Sequence, residues 1–437
     1  MIDEAARISL DREALMPSHS FAFDSIIYNG FDNVRDGIGN HLSLFDRLIF
    51  DELSADRKSL APVPSQFSPD RYDGVLADWH LENPNAFKNA LFLDIARETW
   101  NPAGVRQQME RTIRHKRVFN AVTAVYLMWE SDRLWDLYAD MISAYDFCIV
   151  TSDILAEFLD DRGIDWLKLP HPYDFACIAP ARTRGQQDDP VRFGISAGLW
   201  RRKNVALLAA EFVNAFGNDA GAELSIHTRS DIEHDDFRSE CEAIERLRDG
   251  GARIELINES LPREEYLDWM RSLDVYCFVS AGEGYSITPR EALHLGVPVL
   301  LHDAHVHAEF SHLPGVVRVP SAGLQPARPN TASAACDIGS DWRIDADALR
   351  GALRYCLDHH ASLKKRLAER CDEVRKLHDM DEIRSAWIDR RCVSGCAAGP
   401  AGICRTCSAE CRSCNIRPQN APGHRSCISK NRAKRGR

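Results

Sequence analysis

The stretch that decides the fold is Gly282–Leu301, which reads GEGYSITPREALHLGVPVLL. It follows the apolar run Val275–Ser280, which is typical of a fully buried strand. A glycine-containing turn comes next, then a helix that begins near Pro289, then a second strand at Val297–His302. A buried strand, a turn, a helix and another strand predict part of a parallel sheet that is covered by helices.

Two glutamates, Glu283 and Glu291, frame this turn. In open parallel sheets, ligands bind beyond the carboxyl ends of the strands, where loops lead into helix N-termini. A carboxylate there can accept hydrogen bonds from vicinal sugar hydroxyls. Glu291 also fits a capping box, with Thr288 as N-cap, Pro289 at the first helical position and Glu291 at the third. The local pattern leaves both roles of Glu291 open.

The same alternation of strands and helices extends along the chain. Further strands are predicted at Ser25–Asn29, Gly74–Asp78, Ala121–Met128, Phe147–Thr151, Val191–Ser196, Glu223–Thr228, Arg253–Ile257 and Val316–Val319. Helices are predicted at His41–Leu53, Asp153–Asp161, Asn204–Phe216, Phe237–Arg248, Arg263–Leu273, Asp345–His359 and Leu363–Arg390. Ser321–Trp342 carries little pattern and is predicted to be a loop. The fold class is therefore α/β, with two Rossmann-like domains and a cleft between them.

Domain boundaries follow from the breaks in this pattern. Residues 1–180 form the first predicted domain, and a polar linker leads to the second at residues 191–378. A helix over residues 379–390 is expected to pack back on the first domain. Residues 391–437 are a separate tail that is rich in cysteine and basic side chains.

Composition limits the class of protein. The chain has 437 residues, 44% of them hydrophobic, which predicts more than one domain. No apolar run approaches the roughly 18 residues of a membrane-spanning helix, and the N-terminal stretch MIDEAARISLDREALM is unlike a signal peptide. We therefore expect a cytoplasmic protein. The net charge is −11 although the tail is basic, so the body is acidic and nucleic acid is not an expected partner.

The segments EGYSITPREA, at Glu283–Ala292, and GVPV, at Gly296–Val299, resemble a known signature. It is that of the retaining nucleotide-sugar glycosyltransferases of family 4 (glycosyl transferases group 1), which have the GT-B fold. That family carries E-G-x-(S/G)-x-x-P-x-E-A, then G-x-P-V, then a D…E pair, whose places are taken here by Asp303 and Glu309. The resemblance runs from about residue 25 to about residue 390. It implies parallel sheets that face each other across a donor cleft.

The resemblance also implies roles for the motif residues. Glu291 would bind the ribose of a nucleoside-diphosphate sugar, and Glu283 would bind the hydroxyls of the transferred sugar. Gly284, Tyr285 and Ser286 would offer backbone N–H groups to the donor, since a glycine lets backbone approach a ligand closely. A front-face mechanism, in which the leaving phosphate helps to take the acceptor proton, needs no protein base.

Other family landmarks lie outside the motif. Gly37 and Gly39 lie in a loop that looks like the family's glycine loop near the donor sugar and diphosphate. Lys203 resembles the family lysine that neutralises the diphosphate, because the leaving group needs a cation there. His171–Asp174 resembles the segment that closes the first domain.

The sequence departs from the family at two places. Many members have an arginine shortly before the lysine, whereas here Arg201 or Arg202 must supply the second charge, and Arg202 is taken as donor-binding. Many members place a histidine after the fourth strand of the first domain, whereas this chain has Glu130. Glu130 is a candidate for contact with donor or acceptor, with an ordinary strand-end carboxylate as the alternative.

Histidines follow the second strand of the motif, at His302, His305 and His307, with His312 nearby. Neither strand nor helix periodicity would bring the first three together. We therefore expect no metal site. The resemblance likewise implies no cofactor besides the nucleotide-sugar co-substrate.

A basic stretch, Arg106–Arg117, lies on a predicted helix of the first domain. Its arginines and lysine suit contact with an anionic membrane surface, and a solvated helix face is the alternative. We therefore include peripheral contact with the inner face of the membrane among the expected partners.

The tail holds seven of the 14 cysteines, including the pairs Cys404/Cys407 and Cys411/Cys414. Paired cysteines at this spacing suggest zinc or an iron–sulfur cluster. The three residues between Cys407 and Cys411 are too few for an ordinary zinc ribbon, and large apolar side chains are nearly absent. The sequence therefore predicts a disordered extension, or one read from a shifted frame, rather than a metal site.

Transfer of a sugar from a nucleoside-diphosphate sugar to a saccharide or lipid-linked hydroxyl acceptor is the predicted function, with Glu283, Lys203 and Glu130 as catalytic residues. Glycoconjugate or polysaccharide biosynthesis is the expected context. A nucleotide-sugar hydrolase or epimerase, or a disaccharide phosphorylase, would use the same fold. A binding protein that acts through its basic tail is the alternative from a different class. The loops at residues 227–231 and 258–262 are expected to determine which nucleotide base is bound. Their sequences do not indicate which base that is.

Overall fold

The computed structural model describes residues 25–30, 63–64, 90–96, 102–119, 122–169, 171, 189–229, 235–327, 339–376 and 383. Within these residues the chain forms two Rossmann-like units, each with a parallel sheet between helices. This confirms the fold class that the alternating pattern predicts. The part of the chain so described includes no helix that is both long and apolar enough to cross a bilayer.

The first unit contains a six-stranded sheet in the order β2-β1-β3-β4-β5-β6, with every neighbouring pair parallel. The strands are β1 Ser25–Gly30, β2 Val63–Pro64, β3 Ala90–Ala96, β4 Val122–Leu127, β5 Phe147–Val150 and β6 Trp166–Lys168. The helices are α1 Pro102–Phe119, α2 Asp136–Ser143 and α3 Asp153–Asp160. Leu127, Trp129, Tyr138 and Leu155 are buried in one core cluster between this sheet and its helices.

The second unit contains a seven-stranded sheet in the order β13-β12-β11-β10-β7-β8-β9, parallel except for the pair β12 and β13. The strands are β7 Val191–Ser196, β8 Ala222–Thr228, β9 Ile254–Asn258, β10 Val275–Phe278, β11 Val299–Asp303, β12 Val316–Pro326 and β13 Ser340–Ile344. The helices are α4 Val205–Phe216, α5 Asp235–Asp249, α6 Arg263–Arg271, α7 Ile287–His294, α8 Ala346–Glu369 and α9 Cys371–Lys376.

Strand β10 shows why this sheet needs helices on both faces. All four of its residues are buried, so its side chains alternate between two cores rather than between core and solvent. Val275 and Cys277 belong to one cluster, and Tyr276 and Phe278 belong to the cluster on the other side. Full burial of each large apolar side chain stabilises the fold by about 1.5–3 kcal/mol. The apolar run before the motif therefore fixes the centre of the sheet.

Three predicted elements differ from the structure. Ser321–Trp342 is not a loop throughout, since β12 continues to Pro326 and β13 begins at Ser340. Asp345–His359 and the start of Leu363–Arg390 are one continuous helix, α8, because its buried positions keep helical spacing across the expected break. Helix α7 begins at Ile287, not at Pro289, and its N-cap is Ser286 with a left-handed φ of 69°. The capping box at Thr288 is therefore wrong.

Contacts between the two units lie beside the motif. The hydroxyl of Thr151, after β5, donates to the carbonyl oxygen of Gly284 at 3.1 Å. The backbone N–H of Asp132 donates to the Ser340 carbonyl at 2.9 Å, and the Ser340 N–H donates to the Asp132 carboxylate at 2.6 Å. The strand that replaces part of the expected loop thus holds the second unit against the first.

Candidate functional site

The site lies where the strand order of the second sheet reverses. Strands β10 and β7 are neighbours although they are not consecutive, and the chain leaves them in opposite directions, to β11 and to β8. Ligands of open α/β sheets bind in the crevice at the carboxyl ends of such strands. Lys203 follows β7 and Glu283 follows β10. The sheet therefore brings these two predicted residues together.

Two cations and two carboxylates form an ion network in this crevice. The Lys203 ammonium donates to Glu283 Oε1 at 2.5 Å, and the Arg202 guanidinium donates to the same oxygen at 2.9 Å. Arg202 also donates to the Glu130 carboxylate and to the carbonyl oxygen of Gly282. Four of the five charged residues predicted for the site, from both units, are thus joined in one network.

Arg202 is the centre of this network, and it is buried. It lies in a short 3₁₀ turn at Arg201–Lys203, and Asn204, which ends the turn, has a left-handed φ of 55°. The Asn204 side chain donates to the Val279 carbonyl at 2.8 Å, which fixes this turn against the strand end. Arg201 instead pairs with Asp236 on the surface at 2.9 Å. Of the two arginines that the sequence left open, Arg202 is the one in the site.

The charge of Glu283 is set by its two cations. Burial raises the pKa of its carboxyl, but the Lys203 ammonium and the Arg202 guanidinium outweigh burial and hold that pKa well below its usual range. Glu283 is therefore ionised at neutral pH. A buried, ionised carboxylate beside two cations suits a ligand that carries both hydroxyls and phosphates.

Glu291 is buried behind helix α6 and does not cap its own helix. Its Oε1 accepts from the Arg263 guanidinium at 2.6 Å, and its Oε2 accepts from the Tyr266 hydroxyl at 3.4 Å. Burial raises the pKa of the Glu291 carboxyl, and Arg263 opposes that rise. Glu291 is therefore held from the neighbouring helix α6.

The turn between the two glutamates packs against the first unit. A Cβ on Gly284 would lie 2.8 Å from the Cβ of Met128, so this position tolerates only glycine. Tyr285 is buried, with its ring stacked on His171 at 5.2 Å between centroids and with the Arg290 guanidinium 4.3 Å from its centre. Ser286 is buried, and its hydroxyl has no hydrogen-bond partner among the described residues.

The histidines after β11 form internal hydrogen bonds. His302 Nδ1 bonds to the Ser280 carbonyl at 2.8 Å, and His307 Nδ1 bonds to the His302 carbonyl at 2.9 Å. His305 Nδ1 accepts from the backbone N–H of Glu283 at 3.3 Å. Burial lowers the pKa of His305 to about 4 and that of His307 to about 3, so both are neutral at pH 7. No group of three or more metal-ligating side chains is suitably placed in the described ranges.

The D…E pair of the family signature lies on either side of these histidines. Glu309 accepts from the backbone N–H of Asp153, at the start of α3 in the first unit, at 2.6 Å. Asp303 instead pairs with Arg318 at 3.6 Å, near the surface. Of this D…E pair, Glu309 is therefore the residue that contacts the first unit.

The basic stretch lies on α1 and contains five cations. Arg111 pairs with Asp94 at 3.4 Å, and Lys116 pairs with Asp146 at 2.7 Å. The other three, Arg106, Arg114 and Arg117, are exposed. Their spacing places them on one side of the helix.

Several predicted features lie outside the described residues. They are the glycine loop with Gly37 and Gly39, the helix His41–Leu53, the strand Gly74–Asp78, all but one residue of the helix over residues 379–390, and the cysteine-rich tail at residues 391–437.

Sequence reasoning missed two residues that hold the predicted ligand groups in place, Arg263 and His305. Arg263 lies 28 positions before its partner Glu291, and nothing in the local pattern of α6 connects the two. No local signal existed for His305 either, because its positive φ of 52° is uncommon for a residue other than glycine and follows from no sequence pattern.

Comparison with known proteins finds similarity at the level of structure. No family model matches the chain, and no curated protein matches it in sequence. HepE from Anabaena in complex with UDP superposes with a TM-score of 0.57 at 11% identity, covering 84% of this chain and 99% of that one. A trehalose-phosphate synthase (UDP-forming) from Burkholderia vietnamiensis gives 0.56 at 12% identity, over 87% and 99%. The sucrose-phosphate synthase from Thermosynechococcus elongatus gives 0.55 at 15% identity, over 76% and 82%.

Identities of 11 to 15% show a shared fold. That fold is GT-B, with two Rossmann-like units on either side of a cleft. The fold that the resemblance implies is therefore confirmed.

Proposed function

We propose that this chain is a retaining glycosyltransferase of the family 4 type, which moves a sugar from a nucleoside-diphosphate sugar to a hydroxyl acceptor. The observation that carries the proposal is the ion network of Arg202, Lys203, Glu283 and Glu130 at the strand-order reversal. Similar structures that contain UDP, such as HepE, support a uridine diphosphate donor.

The network gives each residue a role in this reaction. Lys203 and Arg202 would take the charge that develops on the departing diphosphate, which is the largest electrostatic demand of the transfer. Glu283, whose oxygens they hold, would then accept hydrogen bonds from the sugar hydroxyls. Glu130 would stay with Arg202 and keep its guanidinium aimed into the cleft. Glu291 would bind the ribose, and the backbone of Gly284, Tyr285 and Ser286 would border the donor.

A panel of nucleotide sugars tests this proposal. We expect one donor to give nucleotide release that depends on an added sugar or lipid-linked hydroxyl acceptor, with the donor's anomeric configuration kept in the product. Proton NMR of the product measures that configuration, and a coupled assay measures the nucleotide. Release at the same rate without acceptor would favour a hydrolase, and release of sugar phosphate would favour a phosphorylase.

Glycoconjugate or polysaccharide assembly is the proposed context, and membrane contact through α1 belongs to it. The exposed Arg106, Arg114 and Arg117 are the residues that would contact anionic lipid. Each cation near such a surface contributes about 1 kcal/mol.

Replacing these three arginines with glutamine is therefore expected to weaken binding to vesicles of anionic phospholipid by about a hundredfold. Vesicle co-sedimentation at low and high salt measures it. A matched triple variant on α5 and α8, at the exposed Arg246, Arg238 and Lys365, should bind like the unaltered protein. Equal binding by all three proteins would exclude α1 as the contact.

A further inference from the structure

Arg263 is the residue through which helix α6 reaches the site. Its guanidinium donates to Glu291 at 2.6 Å, and it lies 5.6 Å from the ring of Tyr266, which contacts the other oxygen of the same carboxylate. The Arg263 side chain is 49% exposed, whereas that of Glu291 is 2% exposed. Arg263 is therefore the solvent-exposed member of this ion pair, and Glu291 is the buried one.

A buried carboxylate needs such a partner. Taking an ionised carboxyl out of water costs several kcal/mol unless a charge and hydrogen bonds compensate it. Among the described residues, Arg263 is the one cation that forms an ion pair with Glu291. The other titratable groups that face it are the hydroxyls of Tyr266, from α6, and Tyr276, from β10, and burial raises the pKa of both. Both stay neutral, so they cannot replace the charge of Arg263.

The Glu291 carboxylate has hydrogen-bond acceptor positions that Arg263 and Tyr266 do not use. An ionised carboxylate has about four acceptor positions, and Arg263 and Tyr266 approach one on each oxygen. The remaining positions can accept the two vicinal hydroxyls of a ribose.

We infer that Arg263 is a positioning residue that keeps Glu291 ionised and oriented to accept hydrogen bonds from the ribose of the donor nucleotide. The inference rests on the proposed function. It makes α6 part of nucleotide binding, together with the glutamate motif. Arg263 would act on the nucleotide only through Glu291, without contacting the nucleotide itself.

The sign of the pH dependence follows from the ion pair. Without Arg263, only the hydrogen bond from Tyr266 opposes the effect of burial on Glu291, so the pKa of its carboxyl rises further. The carboxyl then takes up a proton as the pH falls, and a protonated carboxyl has lost part of its acceptor capacity. Nucleotide binding by an Arg263→Gln variant should therefore begin to weaken at a higher pH than binding by the unaltered protein does, and it should recover toward alkaline pH.

Calorimetric binding of a nucleoside diphosphate tests the inference. The probe is whichever of UDP, GDP and ADP the unaltered protein binds most tightly, measured from about pH 5 to about pH 8. We expect Arg263→Gln to raise Kd about tenfold at neutral pH, and more at acid pH. Arg263→Lys should restore most of the affinity. Arg271→Gln, which breaks a pair with Asp268 on the same helix, should bind like the unaltered protein.

A double variant separates positioning from direct contact. If Arg263 acts through Glu291, adding Arg263→Gln to Glu291→Gln should weaken binding no further. Additive losses, a loss that is the same at every pH, or no loss in Arg263→Gln would each overturn the inference while leaving the proposed function intact. If the unaltered protein binds none of the three nucleotides, the proposed function fails, and the inference fails with it.

Discussion

Glu283→Gln is expected to lower kcat/KM for sugar transfer by about a thousandfold while the protein stays folded. The carboxylate accepts from Lys203 and Arg202, and an amide in its place removes the negative charge that orients both cations. Removing a group that stabilises charge in the transition state commonly lowers the rate by about 10²–10³-fold. The effect here is expected at the upper end because one change affects both cations. Initial rates with the donor found in the panel measure the effect, and circular dichroism and thermal unfolding report the fold.

A matched change on the surface controls for this prediction. Glu242→Gln, on α5, breaks only an exposed pair with Arg246 and should leave the rate unchanged. Glu283→Asp keeps the charge but shortens the side chain, and it should recover part of the rate. Turnover by Glu283→Gln equal to that of the unaltered protein would remove Glu283 from the site.

The centre of the second sheet could be predicted from the sequence because burial there is continuous. Strand β7 has the bounds that its apolar run predicts, Val191–Ser196. The ends of β10 and β11 fall within two residues of the predicted ends. A strand that is buried on both faces is apolar at nearly every residue, and the turn residues that follow it mark where it ends. Lys203 and Glu283 could therefore be assigned to adjacent strand ends.

The antiparallel pair β12 and β13 could not be predicted in this way. Leu324 of β12 is exposed, and most of the other residues near it are exposed or half-buried, so no periodicity marks the strand. Its structure depends on pairing with β13 and on the bonds from Ser340 to Asp132 in the first unit. The bonds to Asp132 join residues 208 positions apart, and a local pattern contains no trace of them.

The partner of Glu291 in the site could not be predicted from the local sequence either. The spacing Thr288-Pro289-Arg290-Glu291 fits a capping box, and local chemistry alone cannot exclude it. The turn instead places Ser286 at the cap with a left-handed backbone, which turns the glutamate toward α6. Capping could be excluded only from the tertiary structure, which brings Glu291 next to its partner Arg263.

Gly282→Ala is expected to lower kcat/KM by at least about a hundredfold, because it prevents the two units from closing. A Cβ at this position would lie 2.0 Å from the backbone oxygen of Glu130 in the first unit, far inside contact distance. A backbone carbonyl cannot move aside as a side-chain end can, so either the turn or the whole unit must shift. The same shift would break the bond from Arg202 to the Gly282 carbonyl.

The Gly282→Ala variant tests whether the contact between the two units at Gly282 and Glu130 is needed for catalysis. Glu291 and Lys203, which we propose bind the nucleotide, both belong to the second unit. Gly282→Ala should therefore reduce turnover more than nucleotide affinity, and kcat should fall more than KM rises. Gly351→Ala is the matched control, since nothing lies near its Cβ position on helix α8. It should raise the free energy of unfolding by about 0.5–1 kcal/mol without changing the rate. A Gly282→Ala protein with unchanged kcat would mean that Glu130 and Arg202 need not meet during the reaction, and it would place the catalytic groups in the second unit alone.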